Sequence, residues 1–251
     1  MENETIIEIR DLAFSFNGNP VLEGVNLTVK QGDFLAVIGP NGGGKTTLIK
    51  LILGLLKPEK GTIRVFGRSP KELSHNIGYV PQESGLHRSF PISVLDAVLM
   101  GRVRGGGGWR RLSRGDHIEA QKALERVDMW PLRRRRMGEL SGGQRQRVFV
   151  ARSLVTEPEI LFLDEPMASV DAQGQTDFYS FLRELNKTVT VILVSHDLSI
   201  ISSHVKSVAC VNQQLIFHDA AEITGDMLDM AYCCPVDLIA HGKPHRVLRD
   251  H

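Results

Sequence analysis

The octet GPNGGGKT, Gly39 to Thr46, constrains this chain more than any other stretch of it. It satisfies the pattern G-x-x-x-x-G-K-[ST], and its surroundings fit that pattern. An apolar run, FLAVIG, enters it, and Leu48, Leu51, Ile52 and Leu55 follow at helical spacing. The spacing predicts strand, glycine loop and helix, with Lys57 and Pro58 closing the helix. Glycines let backbone N–H groups turn onto phosphate oxygens, and a helix N-terminus adds the positive end of its dipole. Gly39, Pro40, Asn41, Gly42, Gly43, Gly44 and Thr47 are therefore expected around the phosphates of a nucleotide. Lys45 is expected on the β- and γ-phosphates and the Thr46 hydroxyl on Mg²⁺.

A second stretch supplies the other half of such a site. ILFLDEP is a buried strand ending in two acids, Asp164 and Glu165, and α/β sheets bind ligands at the carboxyl ends of their strands. Asp164 suits Mg²⁺, and Glu165 suits the orientation or deprotonation of an attacking water. Phosphoryl transfer depends mostly on such positioning and charge stabilisation.

The remaining pattern is that of an α/β protein. IIEIRDLAFSF reads as a strand ending near Phe16, with Gly18, Asn19 and Pro20 as its turn. TIRVF and IGYV read as strands. SVLDAVLMGR reads as a helix capped by Ser93, and HIEAQKALERVDM and QRQRVFVARSLV as further helices. ILFLD, TVTVILVS and SVACVN are apolar, largely β-branched runs expected of strands buried on both faces of a parallel sheet. VRGGGGWRRLSRGD interrupts the pattern as a surface loop. No internal repeat occurs.

Bulk properties narrow the function. The 251 residues suffice for one large domain, and 30 Lys plus Arg against 29 Asp plus Glu leave no field that favours a polyanion. Nucleic acid is not an expected partner. The acidic start is unlike a signal peptide, no apolar run approaches the length of a spanning helix, and a cytosolic chain is expected. Cys210, Cys233 and Cys234 are expected as free thiols.

LSGGQ, Leu140 to Gln144, is a second glycine-rich turn that one phosphate loop does not need. With GPNGGGKT, YVPQ, LFLDEP, SVD and VSHD in this order, it makes the chain resemble the nucleotide-binding subunits of ABC transporters from about Ile6 to Cys210. The resemblance implies a single cassette over residues 1–251. A P-loop core of mainly parallel sheet with an N-terminal antiparallel β lobe would occupy 1–83 and 137–218. An inserted helical subdomain would span 84–136, and a tail 219–251.

It also implies that two copies dimerise head to tail, with the signature turn of one completing the ATP site of the other. Ser141, Gly142, Gly143 and Gln144 would then meet the γ-phosphate of a partner's ATP. Phe16 falls where the family stacks an aromatic on adenine. Gln82 matches the glutamine that reaches Mg²⁺ and the attacking water and relays nucleotide state to the membrane partner. His196 matches the histidine on the γ-phosphate, and Asp171 the aspartate that crosses the dimer. Gly43 stands where Ala is frequent, and Met167 where Thr or Phe often sits.

FPISVLDAVLMGR and CCPVDLIAHGKPHRVL resemble the ATPases of zinc, manganese and iron importers. The implied function is ATP hydrolysis that drives a membrane permease, supplied with a divalent metal by an extracytoplasmic binding protein. The chain would lie at the cytoplasmic face of the membrane. Two alternatives stand beside it: an importer ATPase for another cargo, and a soluble ABC ATPase acting on DNA or ribosomes. The span from Lys45 to Ser141 leaves no room for the long coiled coil usual in the latter. RRRR, Arg133 to Arg136, is read as a solvated face, and Cys233, Cys234, His241 and His245 lack the spacing of a zinc finger.

Overall fold

The structure is a computed structural model that describes residues 4–72, 76–82, 91–103, 112–167, 172–195, 204–221, 224 and 227. Two sheets organise these residues. β1 (Thr5–Phe16), β2 (Asn19–Lys30) and β4 (Lys60–Val65) form an antiparallel sheet in the order β2-β1-β4. β3 (Phe34–Ile38), β5 (Ile77–Val80), β6 (Ile160–Asp164), β7 (Thr190–Val194), β8 (Ser207–Asn212) and β9 (Gln214–His218) form the second, ordered β5-β6-β7-β3-β8-β9. All pairings in this sheet are parallel except β8 with β9.

The six-stranded sheet is covered on both faces. Leu35, Val37, Phe162, Ile192 and Val194 pack with the antiparallel sheet and with α1 (Lys45–Ile52). Their strand neighbours Ala36, Ile38, Leu161, Leu163, Val191 and Leu193 face the opposite way. There they pack with α2 (Val94–Leu99), α3 (Arg114–Arg126), α4 (Gly142–Leu154) and α5 (Ala172–Leu185). Alternate side chains of a strand point to opposite faces, so two-sided cover demands the continuous apolar runs seen in β3, β6 and β7. Each fully buried Leu, Ile or Phe contributes about 1.5–3 kcal/mol relative to an exposed one.

Sequence expectations and structure differ at four places. The surface loop expected over residues 103–116 ends early, because the Ser113 capping box starts α3 at Arg114 and buries Asp116. The first turn is the two-residue Asn17–Gly18, both at positive φ (51° and 82°), which suits a tight hairpin and puts Asn19 and Pro20 inside β2. β2, a strand not expected from the sequence, breaks at Gly24 (φ 60°), where its pairing with β1 shifts register. Beyond it Val25, Leu27 and Val29 are buried and Asn26, Thr28 and Lys30 exposed, the alternation of a half-buried strand. α1 stops at Ile52 although the apolar spacing continues. Gly54 at φ 70° reverses the chain, the Leu55 N–H returns to the Lys50 carbonyl at 2.9 Å, and Leu55 is left 65% exposed.

α2, α3 and α4 start at serine caps. Ser93, Ser113 and Ser141 each accept from the backbone N–H three residues on, and Ser113 and Ser141 complete capping boxes with Asp116 and Gln144. Asp116 is 1% exposed and also accepts from Arg102 Nε at 2.9 Å, which pins α3 to the 3₁₀ turn that follows α2.

Candidate active site

The glycine loop sits between β3 and α1 and shapes a cavity of about 600 Å³. The loop lines it from Gly39 to Gly42 and from Gly44 to Thr47, with Gln82 and Glu165 on the far side. Gly44 caps α1 at φ 104° and no side chain caps the helix, so its first-turn N–H groups are free to take an anion. Gly39 cannot be replaced without movement. It holds φ 141°, and a Cβ there would lie 2.1 Å from the Val211 carbonyl oxygen. Gly43 does not line the cavity; its carbonyl accepts from the Gln213 N–H at 3.1 Å, while the Gln213 carbonyl accepts from Glu23 N–H at 2.8 Å. The β8–β9 turn thus braces the loop and β2 together. Nothing in the sequence singled out Val211 or Gln213.

Lys45 is buried, and its Nζ donates to the carbonyls of Gly39 (2.8 Å) and Pro40 (2.9 Å). Burial holds its ammonium below the ordinary lysine range, opposed by the negative charges of Glu165 and Asp164. Beneath it, the Thr46 hydroxyl donates to Asp164 Oδ2 at 3.0 Å, and the Tyr79 phenol approaches the same oxygen at 3.4 Å. Burial raises the Asp164 carboxyl; the Thr46 bond lowers it and nearby Glu165 raises it again. Burial and the Asp164 charge push Tyr79 up to about 12, so the phenol stays a donor.

A carboxylate and a hydroxyl converging beside a phosphate-binding loop are hard oxygen donors of the kind Mg²⁺ takes, so the residues present fit that ion. Glu165 follows Asp164 at the end of β6 with φ 47°, and its N–H donates to the Val194 carbonyl at 3.1 Å. Gln82 Nε2 donates to Glu165 Oε2 at 3.0 Å. An acid, an amide and a lysine therefore surround the cavity where a γ-phosphate and a water would meet.

The signature turn lies elsewhere. Ser141 to Gln144 line no part of the cavity; Ser141 is exposed, and its Oγ and the Gln144 amide oxygen are engaged in the cap of α4. Phe16 ends β1, 49% exposed, with its ring edge-on to Phe14 at 4.8 Å. It too stands apart from the cavity lining. Met167 is buried. Asp171 and His196 lie outside the described residues, as do Cys233, Cys234, His241, His245 and most of the glycine-arginine loop. Cys210 is a buried free thiol, raised to about 11 by burial. Among the described residues there is no group of three His, Cys, Asp or Glu able to hold a metal ion, and no helix long and apolar enough to cross a membrane.

A phosphate-binding loop and a strand-end acid pair on a mainly parallel sheet, with an antiparallel sheet and α1 on one face and the other helices opposite, define a P-loop NTPase of the ATP-binding-cassette class. The chain belongs to the ABC transporter family, whose model matches residues 22–168. It is 42% identical over 195 residues to the high-affinity zinc uptake system ATP-binding protein ZnuC of Bacillus subtilis, covering 76% of this chain and 84% of that protein. To the manganese transport system ATP-binding protein MntB of the same organism it is 42% identical over 193 residues, covering 76% and 77%. Among solved structures, an inward-facing putative metal-chelate type ABC transporter superposes with a TM-score of 0.82 at 30% identity, covering 92% of this chain and 90% of that one. The chain is an ABC ATPase that uses ATP.

Proposed function

We propose that this chain is the ATP-hydrolysing subunit of an importer for a divalent metal, zinc or manganese foremost and iron third. The convergence of Thr46, Asp164, Gln82 and Glu165 beside the Lys45 loop carries the hydrolytic half of this reading. The cargo rests on the relatives, which are named for zinc and manganese uptake.

The chemistry follows from the side chains. When ATP enters, Lys45 exchanges the Gly39 and Pro40 carbonyls for β- and γ-phosphate oxygens, a stronger charge-assisted partner. Thr46 and Asp164 would hold Mg²⁺, which would supply charge neutralisation on the phosphates. Glu165 orients the attacking water and accepts its proton, and Gln82, already bonded to Glu165, helps place that water. His196 contacts the γ-phosphate, and Phe16 stacks on adenine.

Two copies assemble head to tail. Ser141, Gly142 and Gly143 of one meet the γ-phosphate held by the other, with Asp171 and Gln144 at the same interface. The reading is supported by the separation of the signature turn from the cavity within one chain. Residues 1–83 and 137–218 serve as core and β lobe, 84–136 as the helical insertion, and 219–251 as the tail. The dimer works at the cytoplasmic face of the membrane against integral permease subunits, which an extracytoplasmic binding protein supplies. The elemental content of metal-limited cells tests this, comparing the native chain with Lys45→Ala. A selective fall in zinc, manganese or iron is expected; unchanged levels of all three, with redundant uptake removed, would refute the cargo.

A further inference from the structure

Tyr79 has no assigned role in the reaction, yet it touches the magnesium carboxylate. It lies on β5 paired in parallel with Phe162 of β6, and Asp164 is two residues further along β6 on the same face. That register carries the phenol toward the sheet's carboxyl edge, where it stands 3.4 Å from Asp164 Oδ2. Asp164 is 1% exposed, so bulk water does not hold its carboxylate in place. Its hydroxyl neighbours are Thr46 and Tyr79. Thr46 must serve both the acid and the metal, whereas Tyr79 serves the acid alone.

The backbone of Tyr79 is itself anchored. Ser153 Oγ, in the last turn of α4, lies 3.0 Å from the Tyr79 carbonyl and 3.2 Å from its own helix carbonyl at Phe149, so one hydroxyl proton serves both. The close approach of α4 to β5 depends on Gly78. A Cβ there would lie 3.1 Å from Leu161 and Pro158 side-chain atoms and 3.2 Å from the Ser153 carbonyl oxygen. The other end of α4 carries the signature turn, Ser141 to Gln144.

We infer that Tyr79 is a positioning residue for the magnesium carboxylate: its hydroxyl orients Asp164, and the Ser153 contact ties that orientation to the signature helix. The inference rests on the proposal that Thr46 and Asp164 hold Mg²⁺. Partners that orient a metal-binding carboxylate typically change metal affinity about 10- to 100-fold when removed. The effect here falls toward the low end, because the phenol contact is long and Thr46 remains.

The test is Tyr79→Phe, which keeps the ring and deletes the hydroxyl. Mg²⁺ is titrated against ATP hydrolysis, and Mn²⁺ binding to the ATP-loaded protein is followed by electron paramagnetic resonance. The half-saturating Mg²⁺ concentration and the Mn²⁺ dissociation constant should both rise about tenfold. ATP binding in EDTA should be unchanged, and kcat at saturating Mg²⁺ should stay within about twofold, a split that a general loss of structure does not produce. Ser153→Ala, which removes the contact with the Tyr79 carbonyl, should shift both constants in the same direction by less. Unchanged constants in Tyr79→Phe would overturn the role of the hydroxyl, and unchanged constants in Ser153→Ala the link to the signature helix. If the wild-type chain itself bound and hydrolysed ATP without divalent metal, the Mg²⁺ proposal would fall first and this inference with it.

Discussion

Gln82 donates its side-chain amide to Glu165 across 3.0 Å, joining the segment after β5 to the acid that follows the neighbouring strand β6. Glu165 holds φ 47°, a left-handed conformation that costs a non-glycine residue about 1–2 kcal/mol. The Val194 carbonyl accepts its N–H and holds that conformation in place. The pair meets beside the Lys45 loop, so the acid lines the cavity.

Glu165→Gln should keep the amide contact and remove the base. Turnover is expected to fall about 10²- to 10⁴-fold while ATP binding persists. Steady-state phosphate release and nucleotide binding on the same preparation check this, and undiminished turnover would remove Glu165 from the reaction.

Phe16→Ala should weaken nucleotide binding with little loss of stability, because the ring is half exposed and ends its strand. Stacking of a base on an aromatic is worth about 1–3 kcal/mol, a change in affinity of about 5- to 150-fold. Fluorescent ATP titration beside a urea unfolding curve separates this from a packing role, for which stability would fall and affinity would not.

Much of this arrangement is legible in the sequence, for identifiable reasons. Gly39, Lys45 and Thr46 announce themselves because loop, cation and hydroxyl must be contiguous to wrap a phosphate. β3, β6 and β7 are legible because two-sided burial forces unbroken apolar runs. β2 carries a legible half as well, the alternation of Val25, Leu27 and Val29 with Asn26, Thr28 and Lys30, while its first half is obscured by Pro20, Glu23 and Gly24. The contacts of Tyr79 with Asp164 and of Gln213 with Gly43 arise only from the pairing of distant strands, and no local pattern encodes them.

Asp164→Asn should stabilise the nucleotide-free chain near neutral pH. The Asp164 carboxyl is raised in the folded state, so its stabilising contribution is present below pH 3.8 and is lost as pH rises through the folded value. At neutral pH the buried charge is a net cost that Asn removes. Thermal unfolding should show a higher midpoint for the variant without ligand and a smaller Mg-ATP-induced rise; a lower apo midpoint at pH 7 would contradict this.

Asp116→Ala should cost about 1–2 kcal/mol, since it opens the cap of α3 and removes the Arg102 ion pair, while Arg102 keeps water and the Val155 carbonyl as partners. Denaturant unfolding measures it. A loss below about 0.5 kcal/mol, the range of an ordinary surface change, would show that neither contact stabilises the helical layer.

The most direct test of the shared ATP site is the mass of the Glu165→Gln protein by sedimentation velocity with and without Mg-ATP, alone and combined with Ser141→Arg. Mg-ATP should convert monomer to dimer, and Ser141→Arg should abolish the dimer while each monomer still binds ATP. A Glu165→Gln chain that saturates with Mg-ATP and stays monomeric, or a dimer indifferent to Ser141→Arg, would contradict a site built from two copies.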